Sequence, residues 1–462
     1  MAKYQKYAEY KNSGVDWLGN IPSHWEIVPV GRLFIRLKRT GFPDQELLSV
    51  YRDYGVIPKS SRDDNNNKPS DDLGQYQLVN PNDLVMNKMK AWQGSIAISE
   101  YEGIVSPAYF VYQPLRSLFK RALPKYVHYL LRNPRYIAQY LRQSKGIRVN
   151  QWDLDPEEFQ RIELVLPPKS EQNQIFKFLD YETSKIDSLI EKQQQLIELL
   201  KEKRQAVISH VVTKGLNPDV AMKDSGVEWL GQVPEHWMVS RLKYIKSKES
   251  NAFVDGPFGS NLKSEHFIEN GDVYVIESNF ATTGYLDPQM LKTISFSHFA
   301  TIERSECREN DIIIAKIGAR YGSSAILPKL EKRAVVSGNS LKLTVDTTNC
   351  DINYALNLLR HLKNEGAMDD GVNGSAQPAL SLGGLNNIGF LTPPIEEQKE
   401  ITKFIYNKLL SFNGLIEKAA FAIQLMQERR TALISAAVTG KIDVRNWHNP
   451  NNNNEAKTEF SA

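Results

Sequence analysis

Two kinds of hydrophobic pattern alternate along the chain. From Ile175 a 4-3-4-3 spacing takes in Ile175, Leu179, Glu182, Ile186, Leu189, Gln193, Leu196, Leu200, Lys203 and Val207, seven of the ten apolar. The same spacing recurs in Ile401, Ile405, Lys408, Phe412, Leu415, Ala419, Ala422, Met426, Arg429 and Leu433, eight of them apolar. A sustained 3.5-residue period marks the seam of a coiled coil. Each stretch therefore predicts a long helix, the first over about residues 171–212 and roughly 60 Å long at 1.5 Å per residue. A double proline, Pro167-Pro168 or Pro393-Pro394, stands just ahead of each, where helix entry tolerates proline. The simplest arrangement packs the two helices against each other, antiparallel.

Ahead of each helix the pattern changes to short β-type runs. They cover Leu47–Tyr51, Leu84–Met86, Ile96–Ile98, Tyr109–Tyr112, Val273–Glu277, Ile312–Ala315 and Leu341–Val345. Turn formers such as Asn270-Gly271 separate them. A helix is predicted over Pro124–Gln143 and a counterpart over Ile352–Lys363. Each of these segments reads as a mixed α/β domain.

The chain is also written twice. SGVDWLGNIPSHW from Ser13 returns as SGVEWLGQVPEHW from Ser225, 212 positions later. LPPKSEQNQIFKFLD, with Glu171-Gln172, returns as TPPIEEQKEITKFIY, with Glu397-Gln398, at an offset of 226. RQAVISHVVTKG from Arg204 answers RTALISAAVTGK from Arg430 at that same offset. Between these blocks the echo is fainter: PNDLVMNKMKAWQGSIAI aligns with ENDIIIAKIGARYGSSAI, placing Lys88 over Lys316 and Gly94 over Gly322. A unit of this length is no solenoid repeat. It predicts a pseudo-two-fold molecule with a shared scaffold and divergent surfaces.

Composition narrows the class. The 462 residues are 41% hydrophobic and 24% charged, suited to a globular core. No apolar run is long enough to span a membrane, and the N-terminus has no apolar signal region; a cytoplasmic location is the expectation. Two cysteines, Cys307 and Cys350, make neither a disulfide framework nor a four-thiolate metal site. Net charge is only +3, yet Gly103 to Trp152 contains no Asp or Glu. That segment carries Arg116, Lys120, Arg121, Lys125, Arg132, Arg135, Arg142, Lys145 and Arg148. A charge run is often only a solvated face, but fifty acid-free residues suit a polyanion.

Motifs for catalysis are absent from the sequence. There is no GxxxxGK[ST] phosphate loop, GxGxxG fingerprint, CxxC pair or HExxH. Asn133-Pro134-Arg135-Tyr136 superficially resembles the Asn-Pro-Pro-Tyr motif of adenine methyltransferases but lacks its second proline and falls inside a predicted helix. His24 and His236, in repeated His-Trp pairs, read as buried scaffold, and Trp17, Trp25, Trp229 and Trp237 read as core anchors. No catalytic or metal-binding residue is assigned.

Candidates for nucleic-acid contact are polar or basic residues in Gly-rich turns between strands. In the first half these are Arg52, Lys59, Arg62, Lys88, Lys90, Gln93, Lys145, Arg148 and Asn150. In the second they are Ser260, Asn261, Lys263, Asn279, Lys316, Arg320, Tyr321, Ser323, Asn373, Ser375 and Gln377. Arg and Lys suit guanine and Asn and Gln suit adenine in the major groove, although half or more of such contacts reach only phosphate or sugar.

A W-L-G-x-[IV]-P-x-H-W block, a PP-x-x-EQ helix start and a helix ending near RQAVI, all duplicated, resemble the DNA-specificity subunit of type I restriction–modification enzymes. The resemblance covers Ser13 to about Val444. DGPFGSNLK (Asp255–Lys263) and GSAQPALSL (Gly374–Leu382) look like that family's target-recognition motifs. In the first half GIRVNQWDL stands in place of the latter, and the former is not recognisable.

The resemblance implies target-recognition domains at 1–168 and 216–394 and conserved helices at 169–215 and 395–446, while the low-complexity run from Asn449 marks a disordered tail at 447–462. Each domain would read half of a bipartite site in double-stranded DNA. The helices would set the unread spacer and dock methyltransferase subunits, two being expected, while motor–nuclease subunits join the full complex. S-adenosylmethionine, ATP and Mg would then belong to the partners, with no cofactor in this chain. Two other readings are a self-contained DNA methyltransferase or nuclease, which would need catalytic motifs, and a coiled-coil scaffold without DNA readout. The scaffold leaves the acid-free segment and the divergent loops unexplained.

Overall fold

The computed structural model describes residues 4–52, 54–62, 69–70, 72–146, 152–257, 259–369, the backbone of 372–373, and 378–450. Two long helices dominate, Lys169–Lys214 and Ile395–Val438, of 46 and 44 residues. Acidic residues sit in the first turn of each, Glu171 in one and Glu396 and Glu397 in the other, where they complement the helix dipole. Gly215 and Gly440 follow the last turns with φ of 78° and 71°, the left-handed conformation that ends a helix.

The chain divides into two compact units, Met1–Gln195 with Ala420–Ala462, and Leu196–Ala419. Each long helix is thus shared between them. Inside the first unit the start of the first helix lies antiparallel to the end of the second. Asp187 pairs with Arg430 at 2.8 Å, and Gln174 donates to the carbonyl of Trp447. Inside the second unit Arg204 reaches Asn413 at 3.0 Å, and Gly215 lies beside Glu397. The heptad seam is buried at Ile175, Leu179, Ile186, Ile401, Ile405, Phe412, Ala419 and Leu433. Leu189, Leu196 and Leu415 on the same seam remain 48%, 42% and 47% exposed.

The two units carry the same antiparallel four-stranded sheet. In the first its order is Phe34–Arg36, Tyr109–Pro114, Leu84–Asn87, Ile96–Ile98. In the second it is Phe253–Asp255, Ser340–Leu343, Ile312–Ala315, Ser324–Ile326. Asn82 and Asn310 turn the chain into the matching strands at φ of 73° and 71°, a conformation asparagine tolerates better than other side chains. The second unit adds a four-stranded sheet in which Val273–Ile276 and Arg333–Val336 run parallel. The first has instead a hairpin, Leu48–Tyr51 with Gly55–Pro58, and the pair Gln77–Val79 with Gly103–Val105.

The helix predicted over 124–143 is two helices, Pro124–Leu131 and Pro134–Gln143. Pro134 lacks the N–H that a continuous helix needs, and Asn133 caps the new start by accepting from Arg135 N at 2.9 Å. Its counterpart, Ile352–Asn364, is unbroken.

The repeated block and the helix start explain one another. Buried Glu171 accepts from Tyr7 Oη at 2.6 Å and Trp25 Nε1 at 2.9 Å, and it bonds His24 Nε2 at 2.7 Å. In the second unit Glu397 bonds His236 Nε2 at 2.8 Å. Trp25 and Trp237 are fully buried, as core anchors should be. The expectation for the histidines needs correction: their side chains are 36% and 45% exposed and hold the glutamate from the solvent side. Gln172 and Gln398 are completely buried. Gln172 accepts from Leu123 N and donates to Arg121 O and Pro167 O. Gln398 does the same with Asp351 N, Asn349 O and Pro393 O. Each Glu-Gln pair therefore fastens a long helix to its own α/β domain. Trp447, placed by sequence at the head of a disordered tail, packs against Phe178 and Tyr181; residues 451–462 of that tail lie outside the described residues.

Candidate nucleic-acid interface

In each unit the loop between the last two sheet strands is a tight hairpin pressed onto a helix by a glycine. Gly94 has φ 94°, and a Cβ there would stand 2.8 Å from Ile137 Cδ1. Gly322 has φ 76°, and a Cβ there would stand 2.8 Å from Met368 Sδ. These hairpins bring Lys88, Lys90 and Gln93 together in the first unit, and Lys316, Arg320, Tyr321 and Ser323 in the second.

In the first unit Lys90 and Gln93 are exposed. Lys88 is half-buried and pairs with Asp153 at 3.4 Å. Lys145, also exposed, lies opposite Asp153 in the two-stranded ribbon Ser144–Lys145 with Asp153–Leu154. Arg52 follows the Leu48–Tyr51 strand, and its Cγ lies 3.9 Å from where a Cβ on Gly94 would be. Lys59 opens a single 3-10 turn, and the Arg62 guanidinium lies 4.4 Å from the Tyr54 ring centre. Arg148 and Asn150 lie outside the described residues.

Two pairs of side chains here lie outside the candidate contacts drawn from sequence. Arg132 donates to His128 Nε2 at 2.9 Å and to the Arg52 carbonyl. Burial, aided by the Arg132 charge, pushes the His128 pKa down to about 4. The imidazole is neutral at pH 7 and can accept from the guanidinium. Trp92 and Trp152 meet edge to face at 5.0 Å beside Lys88 and Gln93. The i,i+4 spacing of His128 and Arg132 on a helix could have flagged the first pair; nothing local announces the second.

In the second unit Arg320 is exposed at the hairpin tip. Lys363 donates to Ser323 Oγ, and burial together with the nearby Arg320 charge lowers its pKa. Both cations add positive potential at the hairpin, which favours a polyanion. Tyr321 donates to Asp369. Lys316 is buried rather than presented at the surface, with its ammonium 3.0 Å from Asp255 Oδ2. Ser260, Asn261 and Lys263 are exposed elsewhere, on a segment that packs Leu262 and Phe267 onto the second sheet. There Asn261 O bonds His298 Nε2, whose ring stacks on His266 at 3.9 Å. Asn279 is exposed on the helix Ser278–Thr283. Asn373 lies on the strand Val372–Asn373, its side chain outside the described residues, as are Ser375 and Gln377.

Among the described residues no group of three or more His, Cys, Asp or Glu could hold a metal ion. No helix among them is long and apolar enough to cross a membrane. Two copies of one α/β domain, each presenting a basic hairpin loop over a helix, define a duplicated DNA-recognition protein. The chain belongs to the type I restriction modification DNA specificity domain family, whose model matches residues 22–199 and again 234–418.

It is 24% identical over 435 residues to the type I restriction enzyme MjaVIII specificity subunit of Methanocaldococcus jannaschii, covering 92% of this chain and 95% of that one. Against the EcoKI specificity subunit of Escherichia coli it is 19% identical over 454 residues, covering 94% and 92%. Two solved structures share the fold. One, from work on complex assembly and conformational transition of the type I R-M system, gives a TM-score of 0.67 at 14% identity over 90% of this chain and 98% of that one. The HsdS subunit from Thermoanaerobacter tengcongensis gives 0.51 at 15% identity over 91% and 98%. The chain is a type I specificity subunit with duplicated domains, and such subunits bind DNA and assemble with other subunits of their systems.

Proposed function

We propose that residues 1–168 and 216–394 each read one half of a bipartite site in double-stranded DNA, and that the chain itself performs no chemistry. The observation that carries this is one hairpin-over-helix device built twice, with exposed Lys90 and Gln93 in one copy and Arg320, Tyr321 and Ser323 in the other. A shared scaffold with different polar residues suits two different half-sites.

The long helices, Lys169–Lys214 and Ile395–Val438, dock methyltransferase subunits, two in number, and set the unread spacer. Motor–nuclease subunits complete the assembly in the cytoplasm. S-adenosylmethionine, ATP and Mg act on those partners. Exposed apolar side chains along the helices support a docking role, Leu199, Tyr406 and Phe421 being 61%, 61% and 59% exposed.

The test is to express the chain with its methyltransferase subunits and sequence the modified sites. Two specific half-sites with an unread spacer are expected, and four residues inserted near Leu199-Leu200 should change only the spacer. The purified chain with S-adenosylmethionine and DNA should leave the DNA unmodified. Methylation by the chain alone would overturn the non-catalytic reading.

A further inference from the structure

Lys316 stands where three segments of the second domain meet. Its N–H donates to Asn339 O at 2.8 Å, in the turn before Ser340–Leu343. Its carbonyl accepts from Leu380 N at 2.9 Å, beside an isolated bridge from Ile317 to Ala379. Its ammonium reaches Asp255, whose other oxygen takes Arg304 Nη2 at 3.2 Å. Asp255 leads into a corner that only glycine can make, because a Cβ on Gly256 would lie 2.0 Å from the carbonyl oxygen of Ser337. Lys316 thus ties the recognition hairpin to the Asp255–Pro257 corner and to the Ala379–Leu380 strand.

The first domain keeps the junction and changes the tie. Lys88 O accepts from Leu154 N at 3.2 Å, as Lys316 O does from Leu380 N. Strand register matches Arg36 with Phe253, so Lys38 occupies the position of Asp255. With a cation there, the lysine finds its carboxylate on the ribbon instead, at Asp153, which occupies the position of Ala379. The acid has moved from one neighbouring segment to the other.

We propose that this lysine is a positioning residue for base reading, and that the location of its acid decides which segment is locked to the hairpin. In the second domain the locked segment is the Asp255–Pro257 corner; in the first it is the Asp153–Leu154 strand. The assignment rests on the DNA-reading function above. Lys316 acts through the loops it orders and does not touch a base or phosphate. Replacing both partners of a buried ion pair is often nearly neutral for folding, so its effect on reading can be separated from stability.

The experiment uses the full chain with its methyltransferase subunits, comparing wild type with Asp255→Asn/Lys316→Met. Thermal unfolding, half-site preference on duplexes with single mismatches, and the salt dependence of binding are measured for both. The expected double variant melts as wild type does and keeps the half-site read by the first domain. It loses about tenfold in discrimination at the other half-site, the scale of one mismatched base pair, with an unchanged salt slope. Full retention of discrimination would overturn the proposal, as would a salt slope lower by about one, the mark of a phosphate contact. If the double variant does not fold, Asp255→Asn/Ala379→Asp carries the test by placing the acid where the first domain has it. It should fold and still misread the second half-site, and wild-type discrimination would refute the assignment. A wild-type chain with no half-site preference would instead sink the DNA-reading function, and this assignment with it.

Discussion

Tyr126 places its hydroxyl 3.1 Å from the carbonyl oxygen of Val438, although 312 positions separate them. Its single hydrogen is shared with Val165 O at 3.2 Å. Tyr354 repeats the relationship with Val212 O at 3.2 Å. In each unit the α/β domain therefore caps the last turn of a long helix that starts in the other half of the sequence.

Tyr126→Phe should destabilise the first unit by about 0.5–1.5 kcal/mol, the net worth of an ordinary intramolecular hydrogen bond. Tyr354→Phe should do the same in the second. Urea unfolding of the two variants, followed by hydrogen exchange, checks the size and the location. Loss of protection at the same sites in both would contradict the separate closure of each unit.

Glu171→Ala should cost more than Glu397→Ala, by about 1–3 kcal/mol, because it leaves buried Tyr7 and Trp25 donors without their acceptor. Trp237 Nε1 already has no hydrogen-bond partner among the described residues, so less is lost around Glu397. Equal melting temperatures for the two variants would count against this account.

His128 gives the first unit a dependence on acid. Its folded pKa of about 4 lies below the ordinary histidine value near 6.5, so the unfolded chain takes up the proton first. Its contribution is fully present above about pH 6.5 and is lost as pH falls toward 4, amounting at most to roughly 3 kcal/mol. Stability measured from pH 7 to 4 should fall less steeply in His128→Gln than in wild type. Parallel curves would exclude this residue as the source.

Gly94→Ala and Gly322→Ala should each destabilise by about 1–3 kcal/mol, the range for an overpacked site, since the added methyl meets Ile137 or Met368 at 2.8 Å and φ is positive at both. Each should also weaken binding to DNA carrying its own half-site more than to DNA carrying only the other. Competition binding with the two half-site duplexes provides the measurement.

Arg320→Ala should weaken DNA binding. A base contact would cost about 1–3 kcal/mol and relax one position of the site, whereas a phosphate contact would weaken all sequences alike and lower the salt slope by about one. Titrations on cognate and mismatched duplexes at several salt concentrations separate these outcomes. Unchanged affinity throughout would remove Arg320 from the interface.

Periodicity and repetition alone determined the duplicated plan, the two long helices and most strands of the paired sheets. Those features rest on local spacing: a 3.5-residue apolar period, prolines at helix entry and alternation in short runs recur wherever the sequence repeats. The break at Pro134 was equally local, its cap and proline both visible in Asn133-Pro134. Only the tertiary structure decided which groups would be spent on holding the fold. Lys316 and Arg320 stand four residues apart on one hairpin and look alike as sequence, yet one is buried against Asp255 and the other exposed. The difference comes from an acid 61 positions away that the sheet register brings beneath the loop. Likewise Tyr126 and Val438 carry no mark of each other along the chain. They meet because a long antiparallel helix returns the end of the sequence to its beginning, and an unpaired buried carbonyl there would cost more than the hydroxyl that satisfies it.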